Sequence, residues 1–297
     1  MPAPLLMVCA SFLFSLMGVC VKYASALYDA GEIVFYRGLT GLLIMAGLSR
    51  LQGISLRTTV PSLHFWRSVS GVVALCLWFY AIGGLPLATA MTLNYMSSVW
   101  MALFVIGGSV VVGASRGVDG RLVAAVVAGF AGVALVLRPT IDEHQLWHGL
   151  CGLMSGMLSA LAYLQVTALG RAGEPELRIV FYFSLGGVAA GAALTVIGGG
   201  PTGHTLEGAG LLLAIGVLAT LAQLMMTRAY RIGRMLGNAA LQYLGIAFSF
   251  AFGVWLFDDA VTWMALAGMV LIVAAGLFAT LVRTRNPGPA SANPTES

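Results

Sequence analysis

The sequence predicts an all-α integral membrane protein with ten transmembrane helices, arranged as two inverted five-helix repeats. Two observations predict the class: 59% of the 297 residues are hydrophobic and only 9% are charged. Soluble domains carry roughly 25% charged residues, so this chain cannot cover a water-facing surface, and lipid must be the solvent for most of it. The third observation, which gives the helix number, is that the charges fall in regular gaps between long apolar runs.

Ten of these apolar runs approach the length of about 20 residues that a spanning helix needs. They cover residues 4–22, 32–50, 64–83, 87–112, 121–137, 149–169, 177–197, 208–228, 238–257 and 261–282. The fourth run is longer than a bilayer requires, so we expect it to tilt or bend. The tail at 286–297 is rich in Pro, Ser, Ala and Asn, and we expect it to be disordered and cytoplasmic.

Basic residues are distributed unevenly between alternate gaps. If the N terminus is placed in the cytoplasm, twelve of the 15 basic residues, Arg67 among them, fall at cytoplasmic gaps or helix ends. Only Lys22 and Arg138 fall on the outer side, and Arg37 lies within the second run. Cytoplasmic loops of membrane proteins carry this excess of Lys and Arg. The pattern therefore predicts a multi-pass protein with both termini in the cytoplasm.

Short motifs recur at a matched spacing along the chain. Ile-Val-Phe-Tyr begins at Ile33 and again at Ile179, 146 residues later, and Asn94-Tyr95 is matched by Gln242-Tyr243. The chain therefore divides into a first repeat at 1–140 and a second at 145–285, with five helices each. Because five is odd, the second copy enters the membrane from the opposite side. Inverted repeats around a midplane site are typical of secondary transporters.

The chain resembles the drug/metabolite transporter superfamily, specifically its ten-helix EamA-type members. The resemblance covers nearly the whole chain and depends on the order and spacing of several short motifs. These are Phe35-Tyr36-Arg37-Gly38, Leu137-Arg138-Pro139, Ala160-Leu161-Ala162-Tyr163, Arg228-Ala229-Tyr230 and the last hairpin with Gly268 and Ala274-Ala275-Gly276. The chain departs from the family at Ser97 and Gly245, where a proline often stands midway along the fourth and ninth helices.

The resemblance implies a secondary carrier of the bacterial inner membrane that moves small metabolites such as amino acids, vitamins or nucleobases. It also implies a central cavity lined by helices of both halves, with the fifth and tenth helices at the periphery.

Arg37 is the leading candidate for substrate binding. It lies about five residues into the second run, roughly 7 Å deep at 1.5 Å per residue. A charge at that depth is costly and normally faces a cavity or a partner. The planar guanidinium would favour a carboxylate or a phosphate. The alternatives are that Arg37 snorkels to the outer interface, or that it pairs with Glu32 or Asp29 as a structural latch.

Two amides and several aromatic side chains are further candidates. Asn94 and Gln242 must find hydrogen-bond partners in an apolar environment, and each could bind substrate or bond across helices. An aromatic wall for an apolar or ring-bearing substrate could be formed by Tyr95, Tyr243, Trp78, Trp100 and Tyr163. Core packing or an interfacial belt is the alternative for each ring. Ser15 falls near mid-span, as a substrate contact or as a small residue at a helix contact.

The acidic residues restrict the mechanism. No Asp or Glu lies in the middle third of any predicted span, whereas carriers that exchange a proton for a cation at a membrane carboxylate need one. We therefore expect facilitated diffusion or exchange, or coupling through a group at a helix end, of a neutral, zwitterionic or anionic substrate. The alternative is a proton-coupled exporter of drugs or metabolites.

Other classes of function receive little support. Asp258-Asp259 is the one acidic doublet in a helix gap that resembles a divalent-metal motif, and it lacks a second motif, so no metal, cofactor or enzyme activity is expected. The net charge of +4 is small and not clustered, so nucleic-acid binding is not expected. The expected partners are a small-molecule substrate and the lipid bilayer. Small residues at 129–132 and 274–276 would suit either a contact within a monomer or a homodimer seam.

Overall fold

Ten helices are present in the part of the chain that the computed structural model describes, residues 1–97, 99–101, 103–104, 120–137, 143–233, 238 and 241–285. They are α1 (Ala3–Ala24), α2 (Ala30–Gln52), α3 (Pro61–Gly84), α4 (Leu87–Tyr95), α5 (Gly120–Leu137), α6 (Glu143–Arg171), α7 (Glu176–Ile197), α8 (Leu206–Ile232), α9 (Leu244–Phe257) and α10 (Trp263–Arg285). The predicted helical class and helix number are therefore confirmed. The predicted tail at 286–297 lies outside the described residues.

The helices have the length and composition of membrane spans. Six of them, α1 to α3 and α6 to α8, are long and apolar enough to cross a membrane. Shorter apolar segments lie within α5, α9 and α10, at Val126–Leu135, Leu244–Phe257 and Trp263–Ala275. Because their exposed side chains are largely apolar, lipid rather than water suits the outside of the bundle. The protein is a multi-pass membrane protein.

Proline and glycine account for several helix ends. Pro61 occupies the first turn of α3, where its fixed φ favours the helix and its missing N–H is not needed. At the other end of the preceding loop, Gly53 closes α2 with φ 65°, a left-handed conformation that glycine adopts without strain. The helix α3 therefore begins three residues before the predicted apolar run, which starts at residue 64.

The fourth and ninth predicted spans are interrupted at matching places. The helix α4 ends at Tyr95, a turn follows at Met96, and helical backbone resumes at Ser97. In the second half, a turn at Tyr243 separates helical residues 241–242 from α9. No proline stands at either turn, so local sequence does not dictate the interruptions.

Close packing accounts for the first interruption. A Cβ placed on Gly156 of α6 would lie 2.5 Å from the carbonyl oxygen of Leu93 and 3.0 Å from that of Asn94. The last turn of α4 thus rests directly on a glycine, at a separation that any larger residue would prevent. The Tyr95 ring occupies the space beside Gly245 at the start of α9, so the two interrupted regions also pack against each other.

The most extensive helix pairs are α2 with α7, α3 with α6, α5 with α10 and α1 with α8. Glycines bring α2 and α7 together: a Cβ on Gly38 would lie 2.7 Å from the backbone nitrogen of Val188. The helix α1 also packs on α9, and α4 packs on both α6 and α9. The predicted repeats are therefore intertwined rather than separate lobes.

The bundle has two ends, which are named here by the loops they contain. The near face contains residues 53–60 and 172–175, and the far face contains residues 25–29, 85–86, 198–205 and 258–262. At the near face the two loops are joined by a hydrogen bond between Thr58 and Glu174, and at the far face Lys22 of α1 contacts both the Leu85 carbonyl oxygen and Asp259.

Candidate functional site

A narrow cavity of about 50 Å³ lies inside the bundle, between α1 to α4 on one side and α6 to α8 on the other. At roughly 10–15 Å³ for each water molecule, it holds a few waters and no organic solute. Its lining is mostly apolar, with a small number of polar side chains. Four of the residues predicted from sequence, apart from Arg37, line it: Trp78, Asn94, Tyr95 and Tyr163.

Arg37 lines this cavity and is buried, with 5% of its surface exposed. Arg37 lies seven residues after the first residue of α2, so its Cα is about 10 Å from the N-terminal end of α2, which lies at the far face. Among the described residues it forms no ion pair, and its Nε has no hydrogen-bond partner. Glu32, one of the suggested latch partners, instead accepts a hydrogen bond from Thr202 Oγ1 at 2.7 Å. Arg37 is therefore positioned toward the cavity rather than held by a latch.

Arg67 is a second buried arginine in the same cavity, and the sequence analysis assigned it to a cytoplasmic helix end. It is 3% exposed, and neither its Nε nor one terminal nitrogen has a partner among the described residues. Its guanidinium folds against Gly71, one turn further along α3, where a Cβ would collide with it. The signal that could have located it is Pro61, which begins the helix and places Arg67 well inside it.

Both arginines rest on the ring of Phe183 from α7. The guanidinium carbons lie 5.0 Å (Arg37) and 4.2 Å (Arg67) from the ring centroid. Arginine at the centre of a spanning helix costs about 2.5–3.5 kcal/mol on insertion scales, and a cation–π contact returns about 0.5–2 kcal/mol. On the helix-centre cost, each charge therefore remains destabilising in this structure by about 0.5–3 kcal/mol.

Among the described residues, no carboxylate offsets these two charges. Every described acidic residue lies in a loop or in the first turn of a helix, and none lines the cavity. The cavity is consequently a positively charged site with apolar and aromatic walls.

The polar neighbours of the arginines come from α4, α6 and α8. Asn94 Nδ2 donates to Ser155 Oγ at 3.0 Å and lies 3.2 Å from Ser159 Oγ, which joins α4 to α6 beside the cavity. Gln223 of α8 also lines the cavity, and its Nε2 has no partner among the described residues. Asn94 thus bonds across helices and also faces the cavity, and its role in binding substrate stays a prediction.

Aromatic rings form much of the wall. Trp78 lines the cavity and its indole nitrogen has no partner among the described residues. Tyr163 stacks on Tyr230 of α8, with ring centroids 5.7 Å apart. Phe14 and Phe183 complete the wall. Phe14, Phe183 and Arg67 were not among the residues proposed from sequence.

Four of the proposed residues do not line this cavity. Gln242 accepts a hydrogen bond from Tyr230 at 3.2 Å, behind the wall. Tyr243 borders an apolar groove between α9 and α10, and Trp100 packs on Phe130 with ring centroids 5.0 Å apart. Ser15 Oγ lies 3.0 Å from the Gly245 carbonyl oxygen and accepts from Ser249 Oγ at 3.1 Å, so it joins α1 to α9. A role for these four in binding substrate stays a prediction.

An ion pair joins three elements at the far face. Lys22 Nζ, at the end of α1, lies 3.2 Å from Asp259 Oδ1 and 3.2 Å from the Leu85 carbonyl oxygen. Asp259 Oδ2 accepts a hydrogen bond at 2.9 Å from the backbone nitrogen of Leu87, the first residue of α4. A carboxylate at a helix N terminus is favourable. This cluster, called the far-face latch below, connects α1, α4 and the α9–α10 loop.

A second cluster joins two loops at the near face. The carboxylate of Glu174 is buried and receives hydrogen bonds from Thr58 at 2.9 Å and Arg178 at 2.9 Å. Its other contact is His64 Nε2 at 3.0 Å. Burial raises the pKa of the Glu174 carboxyl, but the hydrogen bonds from His64, Thr58 and Arg178 outweigh burial and hold that pKa below its ordinary value. This cluster is called the near-face latch.

A polytopic helical bundle with a charged internal cavity and ionic clusters at both ends has the architecture expected of a membrane transporter. No protein-family profile matches the chain. The pseudopaline exporter CntI of Pseudomonas aeruginosa is 37% identical over 91% of this chain and 93% of its own length. Solute carrier family 35 member G1 of Mus musculus is 24% identical over 93% of this chain and 77% of its own length. A solved crystal structure superposes with a TM-score of 0.68 at 17% identity, covering 95% of this chain and 98% of its own.

The chain belongs to the drug/metabolite transporter superfamily, as its sequence resemblance predicted. It is a transporter of small molecules and not an enzyme.

Proposed function

We propose that this protein is a secondary transporter that exports a small organic metabolite across the bacterial inner membrane by alternating access. The observation that carries the proposal is the cavity: helices from both predicted repeats line it, and a separate ionic latch lies toward each face. A carrier needs two gates of this kind that open in turn. The direction of transport follows the relative that is named as an exporter.

The inverted repeat is part of this proposal. In this repeat, helices α1 to α5 correspond to α6 to α10. The α3–α6 pair then corresponds to α8–α1, and the α1–α9 pair corresponds to α6–α4; all four pairs are present. The pairs α2–α7, α4–α9 and α5–α10 correspond to themselves. This exchange of partners supports two equivalent halves at 1–140 and 145–285, related by an axis in the membrane plane.

The orientation is also proposed, on the excess of basic residues. The near face carries Arg57, Arg171 and Arg178 and would be cytoplasmic. The near-face latch would then close the cavity to the cytoplasm, and the far-face latch would close it to the outside.

Facilitated diffusion or exchange of a neutral, zwitterionic or anionic solute fits the cavity, because no described acidic residue lines it. A second mechanism, proton-coupled export, is favoured by one observation. His64 and Glu174 form a buried imidazole–carboxylate pair, 3.0 Å apart, in the near-face latch. His64 Nδ1 is buried without a partner among the described residues. The Tyr182 ring packs against the His64 ring, and Arg178 pairs with Glu174. The His64–Glu174 pair would be the helix-end group that couples transport to protons.

The test is flux in proteoliposomes with a labelled panel of amino acids, nucleobases, flavins and organic acids, with and without a pH gradient. Gradient-free flux of one class supports facilitated transport or exchange. Flux that follows the gradient in the wild type, but not in His64→Gln, supports proton coupling. His204→Gln is the matched control, since His204 faces Glu32 at 3.4 Å on the far face. Absence of flux for every class in folded protein contradicts the proposed transport.

A further inference from the structure

We propose that Arg37 and Arg67 form one anion-binding site, which holds the carboxylate or phosphate group of an organic anion as the transported substrate. This inference rests on the proposed transport function and specifies its substrate class. It starts from two arginines that are each at least 95% buried, line the same cavity and have unpartnered nitrogens there.

The two guanidinium groups are close enough to share one ligand. Because their carbons lie 5.0 and 4.2 Å from the same ring centroid, they are separated by no more than the sum of these distances, 9.2 Å. A guanidinium carbon lies about 4 Å from the carbon of a carboxylate that it binds through two hydrogen bonds. A separation of up to about 8 Å lets one carboxylate or phosphate accept from both groups, and a separation nearer the upper bound suits the two ends of a short dianion.

The surroundings select an organic anion rather than a bare inorganic ion. Beyond the arginines the wall consists of Phe14, Trp78 and the rings of Tyr95 and Tyr163, which suit a carbon skeleton. Asn94 and Gln223 add polar groups to the lining of the same cavity. Pockets for organic ligands combine apolar walls with a few placed polar groups in this way.

A structural role does not explain these arginines. A buried arginine that stabilises a fold is paired with a carboxylate or with backbone carbonyls, whereas Arg37 Nε and Arg67 Nε and Nη1 are buried without a hydrogen-bond partner among the described residues. Arg67 is also accommodated by Gly71, since any side chain there would collide with its guanidinium. The charge is therefore held in position for a partner that the described part of the chain does not supply.

The cavity must widen to admit the substrate. Its present volume of about 50 Å³ has room for only a few water molecules. We infer that the described conformation is the substrate-free one, and that the anion stabilises a wider conformation by neutralising both charges. If the cavity widens only when both arginine charges are neutralised, cations should not be transported, because a cation would add to the uncompensated positive charge.

Binding is tested separately from flux, with the full-length protein in detergent and the thermal unfolding midpoint as the readout. The probes are matched in size: glutarate, its neutral diamide, and 1,5-diaminopentane, with propyl phosphate as the phosphate arm, each at about 10 mM and equal ionic strength. We expect the midpoint to rise with glutarate or propyl phosphate and to be unchanged by the diamide and the diamine. The relative size of the two shifts identifies the headgroup.

The variants are Arg37→Gln and Arg67→Gln, with Arg50→Gln as the matched control, an exposed arginine at the other end of α2. In each cavity variant, the apparent affinity for the anion, taken from the shift of the midpoint, should fall at least tenfold. The ligand-free midpoint of each variant should stay equal to or above that of the wild type. Arg67→Lys, which keeps the charge without the planar fork, should retain part of the response.

Equal shifts for all probes in the wild type, no shift for either anion, or an anion response that survives both Gln variants would overturn the inference. A ligand-free midpoint that falls in both Gln variants would assign the arginines to the fold instead. If anions bind but no solute crosses proteoliposomes, the anion site stands and the transport proposal fails. If a neutral solute is transported equally by wild type and Gln variants, transport stands and the anion site fails.

Discussion

Substitution of Asp259 by Asn should weaken the far-face latch and open the cavity toward that face. The wild-type carboxylate makes two contacts, with the Lys22 ammonium at 3.2 Å and with the Leu87 backbone nitrogen at 2.9 Å. Asparagine has nearly the same shape and can still accept from Leu87, but it removes the charge from both contacts. The substitution therefore isolates the electrostatic part of the latch.

The magnitude follows from the exposure of the pair. Lys22 and Asp259 are 18% and 16% exposed, which is intermediate between surface pairs worth about 0–1 kcal/mol and buried pairs that cost about 3–5 kcal/mol to break. The negative charge at the start of α4 adds about 0.3–1 kcal/mol. A total of about 1–3 kcal/mol, if it is lost when the far face opens, changes the ratio of open to closed molecules by roughly 5- to 150-fold.

The assay is the rate at which a membrane-impermeant maleimide labels Ser159→Cys, a cavity position, in a variant whose four native cysteines are replaced by alanine. Asp258→Asn is the matched control, because Asp258 is the neighbouring residue, is exposed, and has a positive φ of 50° that asparagine also tolerates. We expect faster labelling from the far face in Asp259→Asn and an unchanged rate in Asp258→Asn. Equal rates in the two variants, with both folded, would refute a gating role for the latch.

Three other predictions concern the near-face latch, the α2–α7 contact and the arginine site. Because the Glu174 carboxyl has a pKa below its ordinary value of 4.5, its contribution to stability is present above that pH and is lost as the pH falls below it. Glu174→Gln should therefore lower the unfolding midpoint at pH 7 and flatten its decline between pH 5 and pH 3; an unchanged decline would contradict this. Gly38→Ala should cost about 1–3 kcal/mol in unfolding free energy, since its Cβ would lie 2.7 Å from backbone of α7. Gly47→Ala in the same helix, with nothing within 4 Å, should stabilise by about 0.5–1 kcal/mol, and a shared sign would refute the packing argument. Gly71→Ala should displace the Arg67 guanidinium and weaken anion binding without unfolding α3, as measured by the anion-dependent shift of the midpoint and by circular dichroism.

The sequence by itself determined the helical class and the number of helices, because both follow from where charge is tolerated along an apolar chain. It placed Arg37 within a span but left open whether the side chain faces a cavity or snorkels to the interface, and the structure decided for burial. The sequence also restricted acidic residues to helix ends, which left the cavity without a carboxylate. These features depend on composition and order, and no knowledge of packing is needed to read them.

The tertiary structure decided which side chains face the cavity. A helix can be rotated without any change in its apolar run, so the pairs Asn94–Tyr95 and Gln242–Tyr243 look equivalent in sequence although only the first lines the cavity. Arg67 was assigned to the cytoplasmic end because the apolar run starts later than the helix does. The partners of Asp259 lie 172 and 237 residues away along the chain, and the interruption after Tyr95 depends on Gly156 of a different helix. Contacts between distant residues arise only when the helices pack, and for that reason the arginine pair and both latches became visible only in the folded protein.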